Sequence, residues 1–184
     1  MSQPSMNPEA MPHHATLSAG RMYLATAAMV LGNLLLPYAV HQIPDAGRIF
    51  LPIFFFTLVA GWRFGAQVGV LTGILSPLAN HFLTGMPPAP MLQDIMLQSA
   101  LLGAMAAIAA SRWPRATVQV LALVVVLHQA LVLLPMLIHS GLQPCAATFR
   151  LRVPGILLQI LGGFSVLWLM GRFLPRNLGS TREG

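Results

Sequence analysis

Six long apolar segments alternate with short polar breaks along this chain, over about 20–40, 48–62, 64–83, 92–111, 117–139 and 153–173. A helix needs about 20 apolar residues to cross roughly 30 Å of hydrocarbon. The pattern therefore predicts an all-α membrane protein of six transmembrane helices. The second segment is short and contains Pro52, which predicts a tilted or broken helix. Only Trp62 and Arg63 separate the second and third segments, which predicts a tight helical hairpin. Residues 1–18 are polar, Pro-containing and Met-rich, and read as a disordered cytoplasmic tail. The six-helix transmembrane domain then occupies 19–175, and 176–184 form a second cytoplasmic tail.

The third segment carries the most informative spacing. Gly61, Gly65, Gly69 and Gly73 recur every four residues, and Pro77 and His81 continue the series. Glycines in that ladder strip the side chains from one slanted ridge, so a neighbouring backbone can approach closely. Two uses compete for such a ridge: packing within the bundle and docking of a partner. Ala28 and Gly32 form a second pair of small residues at the same spacing.

Arginine placement sets the expected orientation. With six spans and both ends inside, Arg21, Arg63, Arg112, Arg115, Arg172, Arg176 and Arg182 fall on the cytoplasmic side, and Arg48, Arg150 and Arg152 fall outside. That bias follows the positive-inside rule. Trp62, Trp113 and Trp168 are placed near the inner interface, as aromatic belts require. The reading is thus a multi-pass protein of the cell inner (cytoplasmic) membrane.

Composition narrows the chemistry. The chain is 56% hydrophobic and 8% charged, with a net charge of +6 and no lysine. The arginines stand singly between apolar runs, which fits topology rather than nucleic-acid binding. Without lysine there is neither a P-loop nor a Schiff-base nucleophile. Cys145 is the single cysteine, which excludes an internal disulfide and a CxxC pair. No positive n-region precedes an apolar core, so no signal peptide is read at the start.

Polar groups collect on the outer half. His41, Gln42, Asp45 and Arg48 mark the first outer loop, and Asn80, His81 and the Thr84–Pro88 stretch with Met86 mark the second. Asp94 and Gln98 stand four apart and share a helix face. His128 and His139 are eleven apart, close to three turns, and share another. Gln143, Cys145, Arg150 and Arg152 are assigned to a third outer loop, with Gln159 about two turns into the last span. Polar groups inside spans are costly and usually line an interior or a watery cavity. Convergence from several outer segments predicts a pocket for a polar small molecule. No HxxH or HExxH spacing is present, so no metal site is assigned.

The run LPIFFFTLVAGWRFGAQVGVLTGILSPLANHFLTGMPPAPML resembles the substrate-binding, or S, components of energy-coupling factor (ECF) transporters. A later run, FRLRVPGILLQILGG, resembles the start of their last span. The likeness covers about residues 20–170. It implies a six-helix bundle with an outward-facing pocket for a vitamin or related micronutrient. It also implies docking onto a transmembrane coupling subunit that carries an ATPase pair, with no cofactor and no ATP hydrolysis by the S component itself. The implied substrate contacts are His41, Asp45, Asn80, His81, Met86, Asp94, Gln98, His128, His139, Arg152 and Gln159. The implied docking residues are Ala28, Gly32, Gly65, Gly69 and Gly73. The family often carries an alanine pair at four-residue spacing in the first span. Here Ala25 is followed by Met29, and Ala28 with Gly32 is the nearest equivalent. Solitary corrinoid-binding members use an outer cysteine where this chain has Asn80 and His81.

Two other classes remain open at this stage. One is a small intramembrane enzyme using His81, His128 and Asp94. The other is a structural membrane protein with no ligand.

Overall fold

A computed structural model describes residues 18–40 and 52–173, with side chains at all of these but 37–40 and 52. His41, Asp45 and Arg48 lie outside the described residues, as do both proposed tails. The described chain is helical, with no strand. Helix α1 spans Ala19–Val40. A 3-10 turn at Pro52–Phe54 leads into α2, Phe55–Phe64. Then come α3, Ala66–Thr84, and α4, Ala89–Arg112. Helix α5 is Val118–Ser140. Helix α6, Leu142–Leu157, runs through a π turn at Leu158–Gly162 into α7, Gly163–Phe173.

Four of these rods are long and apolar enough to cross a membrane: α1 over Ala19–Leu36, α4, α5, and the continuous Leu142–Phe173 rod. The protein is thus a multi-pass membrane protein by its helices. Helix α2, with 10 residues, is about 15 Å long and cannot span alone. It is instead the core. Thr57, Leu58, Val59, Ala60, Gly61 and Trp62 are buried in unbroken succession, because α1, α3, α4 and α7 all pack around it. Trp62, expected at the interface, is therefore a core residue with 3% exposure. Trp113 and Trp168 are exposed, and the Arg172 guanidinium lies 5.6 Å from the Trp168 ring centroid.

The glycines decide how tightly these helices meet. A Cβ on Gly69 would stand 2.7 Å from the Gly61 Cα and 2.8 Å from the Gly103 carbonyl oxygen. One on Gly73 would stand 2.6 Å from the Ala100 nitrogen. Gly61 and Gly103 face the same constriction from α2 and α4. The ridge is therefore filled from within the chain, and Gly69 and Gly73 are buried. Gly65 has a different task. It joins α2 to α3 with φ 92° and ψ 179°, a conformation open essentially to glycine alone. Replacing it with alanine is expected to lower stability by about 2 kcal/mol. Chemical or thermal unfolding in detergent measures this, and an unchanged midpoint would show that the turn relaxes.

Residue pairings give the topology. Gly69 meets Gly103 and Gly73 meets Ala100, so α3 and α4 are antiparallel. Helices α5 and α6 are antiparallel by the Met136–Thr148 and Gln129–Arg152 pairs. One end of the bundle thus gathers the Gly65 turn, the α4–α5 connection and the end of α7. Arg63, Arg112, Arg115 and Arg172 all sit at that end. The opposite end holds the Gly85–Pro88 loop and Gly141.

The assignment of residues 142–152 to a loop is corrected. Gln143, Cys145, Arg150 and Arg152 are all on α6, which begins directly after Gly141, φ 83°. The last rod thus has 32 residues, longer than the 153–173 span read from the sequence. Polar residues and two arginines lower the apolar content of this segment without breaking its helix.

Candidate functional site

The buried polar side chains form two systems inside the bundle. The first ties four helices together. Asn33 of α1 donates through Nδ2 to Thr57 Oγ1 of α2 at 3.1 Å and to Ser76 Oγ of α3 at 3.0 Å. Its Oδ1 accepts from the Phe56 backbone N–H at 2.9 Å. Thr57 Oγ1 also meets Ser99 Oγ of α4 at 3.1 Å. Asn33, Thr57, Ser76 and Ser99 are all fully buried. Every polar atom of Asn33 is engaged, as a low-dielectric interior demands. Thr72 Oγ1, one turn before Ser76, is buried without a hydrogen-bond partner.

The second system lies between α4, α5 and the α6–α7 rod. His128 Nε2 is 2.9 Å from the Gln98 carbonyl oxygen. A carbonyl only accepts, so Nε2 carries the proton. Nδ1 is buried with no partner. The Phe54 ring stands 5.7 Å from the imidazole, tilted by 57°. At the adjoining residue, Gln129 Oε1 accepts from Arg152 Nη1 at 3.3 Å. Gln159, in the π turn, is fully buried, and neither its Oε1 nor its Nε2 has a partner. The wide turn that aims Gln159 and Ile160 inward follows Pro154, which lacks an N–H for the preceding turn.

These findings sort the expected contacts. Gln98, His128, Arg152 and Gln159 belong to the second system. Asn80, His81 and Met86 instead serve their own loop. His81 Nδ1 meets the Pro87 carbonyl oxygen at 2.7 Å. Thr84 Oγ1 donates to the Asn80 carbonyl at 2.8 Å and accepts from the Met86 N–H at 3.2 Å. Gly85, in the left-handed conformation with φ 74°, closes α3 there. Asp94 and His139 are exposed. Asp94 and Gln98 share a face, and Gln98, half-buried, meets His128 through its backbone carbonyl. His139 similarly extends past the packed part of α5. The imidazole of His128 addresses the Gln98 backbone, with no carboxylate against it among the described residues.

Ala28 is exposed on α1, and Gly32 is half-buried against the Phe56 ring. Two shallow concavities open at the arginine-bearing end. One is lined by Phe164, Ser165, Val166, Trp168 and Leu169. The other is lined by Trp113, Pro114, Arg115, Thr117 and Val120. Neither includes an expected contact residue. Among the described residues, no group of three or more His, Cys, Asp or Glu side chains is disposed to hold a metal ion.

Asn33, Thr57, Thr72, Ser76, Ser99 and Gln129 were not singled out by sequence reasoning. Asn33, Thr57, Thr72 and Ser76 are single polar residues inside apolar runs, and that isolation was the available signal, while Ser99 and Gln129 directly follow Gln98 and His128. Comparison of the chain with protein-family models, curated proteins and solved structures gives no match.

Proposed function

We propose that this chain is the substrate-binding S component of an ECF-type transporter, capturing a vitamin or related micronutrient from outside the cell. Its arginine-bearing end then faces the cytoplasm, and its Gly85–Pro88 and Gly141 end faces out. The chain captures without converting. A separate coupling subunit with an ATPase pair supplies the energy for uptake. The observation that carries the reading is the second buried system: His128 Nδ1 and both amide atoms of Gln159 are enclosed without hydrogen-bond partners. Unsatisfied buried polar groups cost about 1–3 kcal/mol each. Their retention in a membrane interior is explained by a polar solute that satisfies them when bound. The resemblance of the α2–α4 run to S components supplies the transport class.

Gentle purification from native membranes, followed by mass spectrometry of the extracted solutes, tests the proposal. One small polar molecule is expected at a near-equimolar level. An extract no richer in any solute than that of an unrelated membrane protein would overturn the reading.

A further inference from the structure

The connection between α4 and α5 holds a concavity that the proposed binding role does not use. It has a volume of about 390 Å³ and is lined by Trp113, Pro114, Arg115, Thr117 and Val120. Arg115 and Trp113 are exposed, and Arg112, at the end of α4, adds a second positive charge beside the lining. Thr117 Oγ1 accepts from the Val120 N–H at 3.3 Å, which leaves its own O–H for another acceptor. Asp94 is the one acid among the described residues. It lies five turns before Arg112 on α4, about 27 Å away. Glu9 and Glu183, outside the described residues, are too few to neutralise Arg63, Arg112, Arg115 and Arg172 together. Such a guanidinium surplus suits a phosphate, whose oxygens match the fork of N–H donors.

The lining has an apolar continuation. Val120 shares a face of α5 with Leu123, Leu127, Leu131 and Leu134, at spacings of three and four. Those four leucines are each about half exposed. From Leu123 to Leu134 the face rises about 16 Å, close to the depth of one leaflet, half of roughly 30 Å of hydrocarbon. Any apolar helix face in a membrane meets lipid tails. This one begins at a positively charged hollow, beside a tryptophan of the kind that marks the interface. A charged head joined end to end with an apolar tail is the form of a phospholipid. A zwitterionic headgroup would bring its own ammonium against two arginines, so the complement is an anionic one.

We propose that the concavity at Arg115 holds the phosphate of an anionic phospholipid, with one acyl chain laid along the Val120–Leu134 face of α5. The site is separate from the buried polar systems and does not depend on the transport role.

Native mass spectrometry of the full chain, released from detergent, tests it with phosphatidylglycerol and phosphatidylcholine of identical acyl chains. The wild type is expected to retain phosphatidylglycerol in preference. Arg115→Gln is expected to weaken that retention about fivefold, the loss of one arginine contact at a membrane surface. Arg150→Gln removes the same charge from the exposed side of α6, in the half of the bundle nearer Gly141, and is expected to leave retention unchanged. Inorganic phosphate at the lipid's concentration should not displace the lipid, because it lacks the tail. A phosphatidylglycerol with a diazirine midway along one acyl chain locates that tail, and its adducts are expected within Val118–Leu134. This labelling needs no variant, so it decides the matter even where Arg115→Gln does not fold. Equal retention of the two lipids would overturn the site. So would equal retention by the two variants, displacement by inorganic phosphate, or adducts spread evenly over all the helices.

Discussion

Gly73→Ala is expected to destabilise the protein by about 3 kcal/mol, the upper range for overpacking a tight core. The added Cβ would stand 2.6 Å from the Ala100 nitrogen and the Ser99 carbonyl carbon, and 2.7 Å from the Ala100 Cα. All three are backbone atoms of α4, so no side chain can turn aside to make room. The whole α3–α4 seam would have to open. Gly61, Gly69 and Gly103 share that seam, so opening it at Gly73 loosens dispersion contacts along its length. Gly171→Ala is the control. Nothing lies within 4 Å of a Cβ there, and a helical alanine gains up to about 1 kcal/mol over glycine. Equilibrium unfolding in mixed micelles measures both. Equal stability of Gly73→Ala and wild type would mean that the α3–α4 contact is looser than the structure places it.

That seam was legible as a sequence feature and ambiguous as a role. The four-residue spacing from Gly61 to Gly73 announces close approach of a backbone, but it does not say whose. The partner proved to be α4, through Gly103, which stands alone in LLGAMAAIAA with no spacing to mark it. Gly65 shared the ladder's spacing and not its function, because a turn between two helices left it outside the packed ridge. The same limit applied to the candidate contacts. Hydrophobic periodicity separates inside from outside when the outside is water. In lipid both faces are apolar, so Asp94 and Gln98 could be placed on one face without showing how deep that face goes. His128 and Gln159 were legible as costly residues within spans. Their missing partners were not, since satisfaction is a property of the assembled neighbours.

The failure at residues 142–152 has a different origin. Arg150, Arg152 and Gln143 make the segment too polar for a span, and a polar break between spans reads as a loop. Helicity depends on the backbone's own hydrogen bonds, which a polar sequence makes equally well. With α6 the last rod reaches 32 residues, more than a single crossing of the hydrocarbon requires. The helix gives Arg152 a fixed stem from which to reach Gln129. A loop would have left that contact to chance.

Asn33→Leu carries the other large effect, an expected loss of about 3 kcal/mol. One side chain holds three hydrogen bonds to three different places: Thr57 on α2, Ser76 on α3 and the Phe56 backbone. Interhelical hydrogen bonds in membranes contribute about 0.6–2 kcal/mol each. Leucine removes all three, and it strands the Phe56 N–H in the interior. That N–H sits in the first turn of α2, where no preceding helical carbonyl takes it, so Asn33 acts as the cap that α2 lacks locally. Ser76→Ala removes only the bond of 3.0 Å and is expected to lose about 1 kcal/mol. The double variant then tests the pairing. If Asn33 and Ser76 are bonded, the two losses together should fall short of their sum by about the strength of that bond. Strict additivity in unfolding measurements would show that α1 is held to α3 by packing alone, and that the four-helix polar knot does not fix the position of α2.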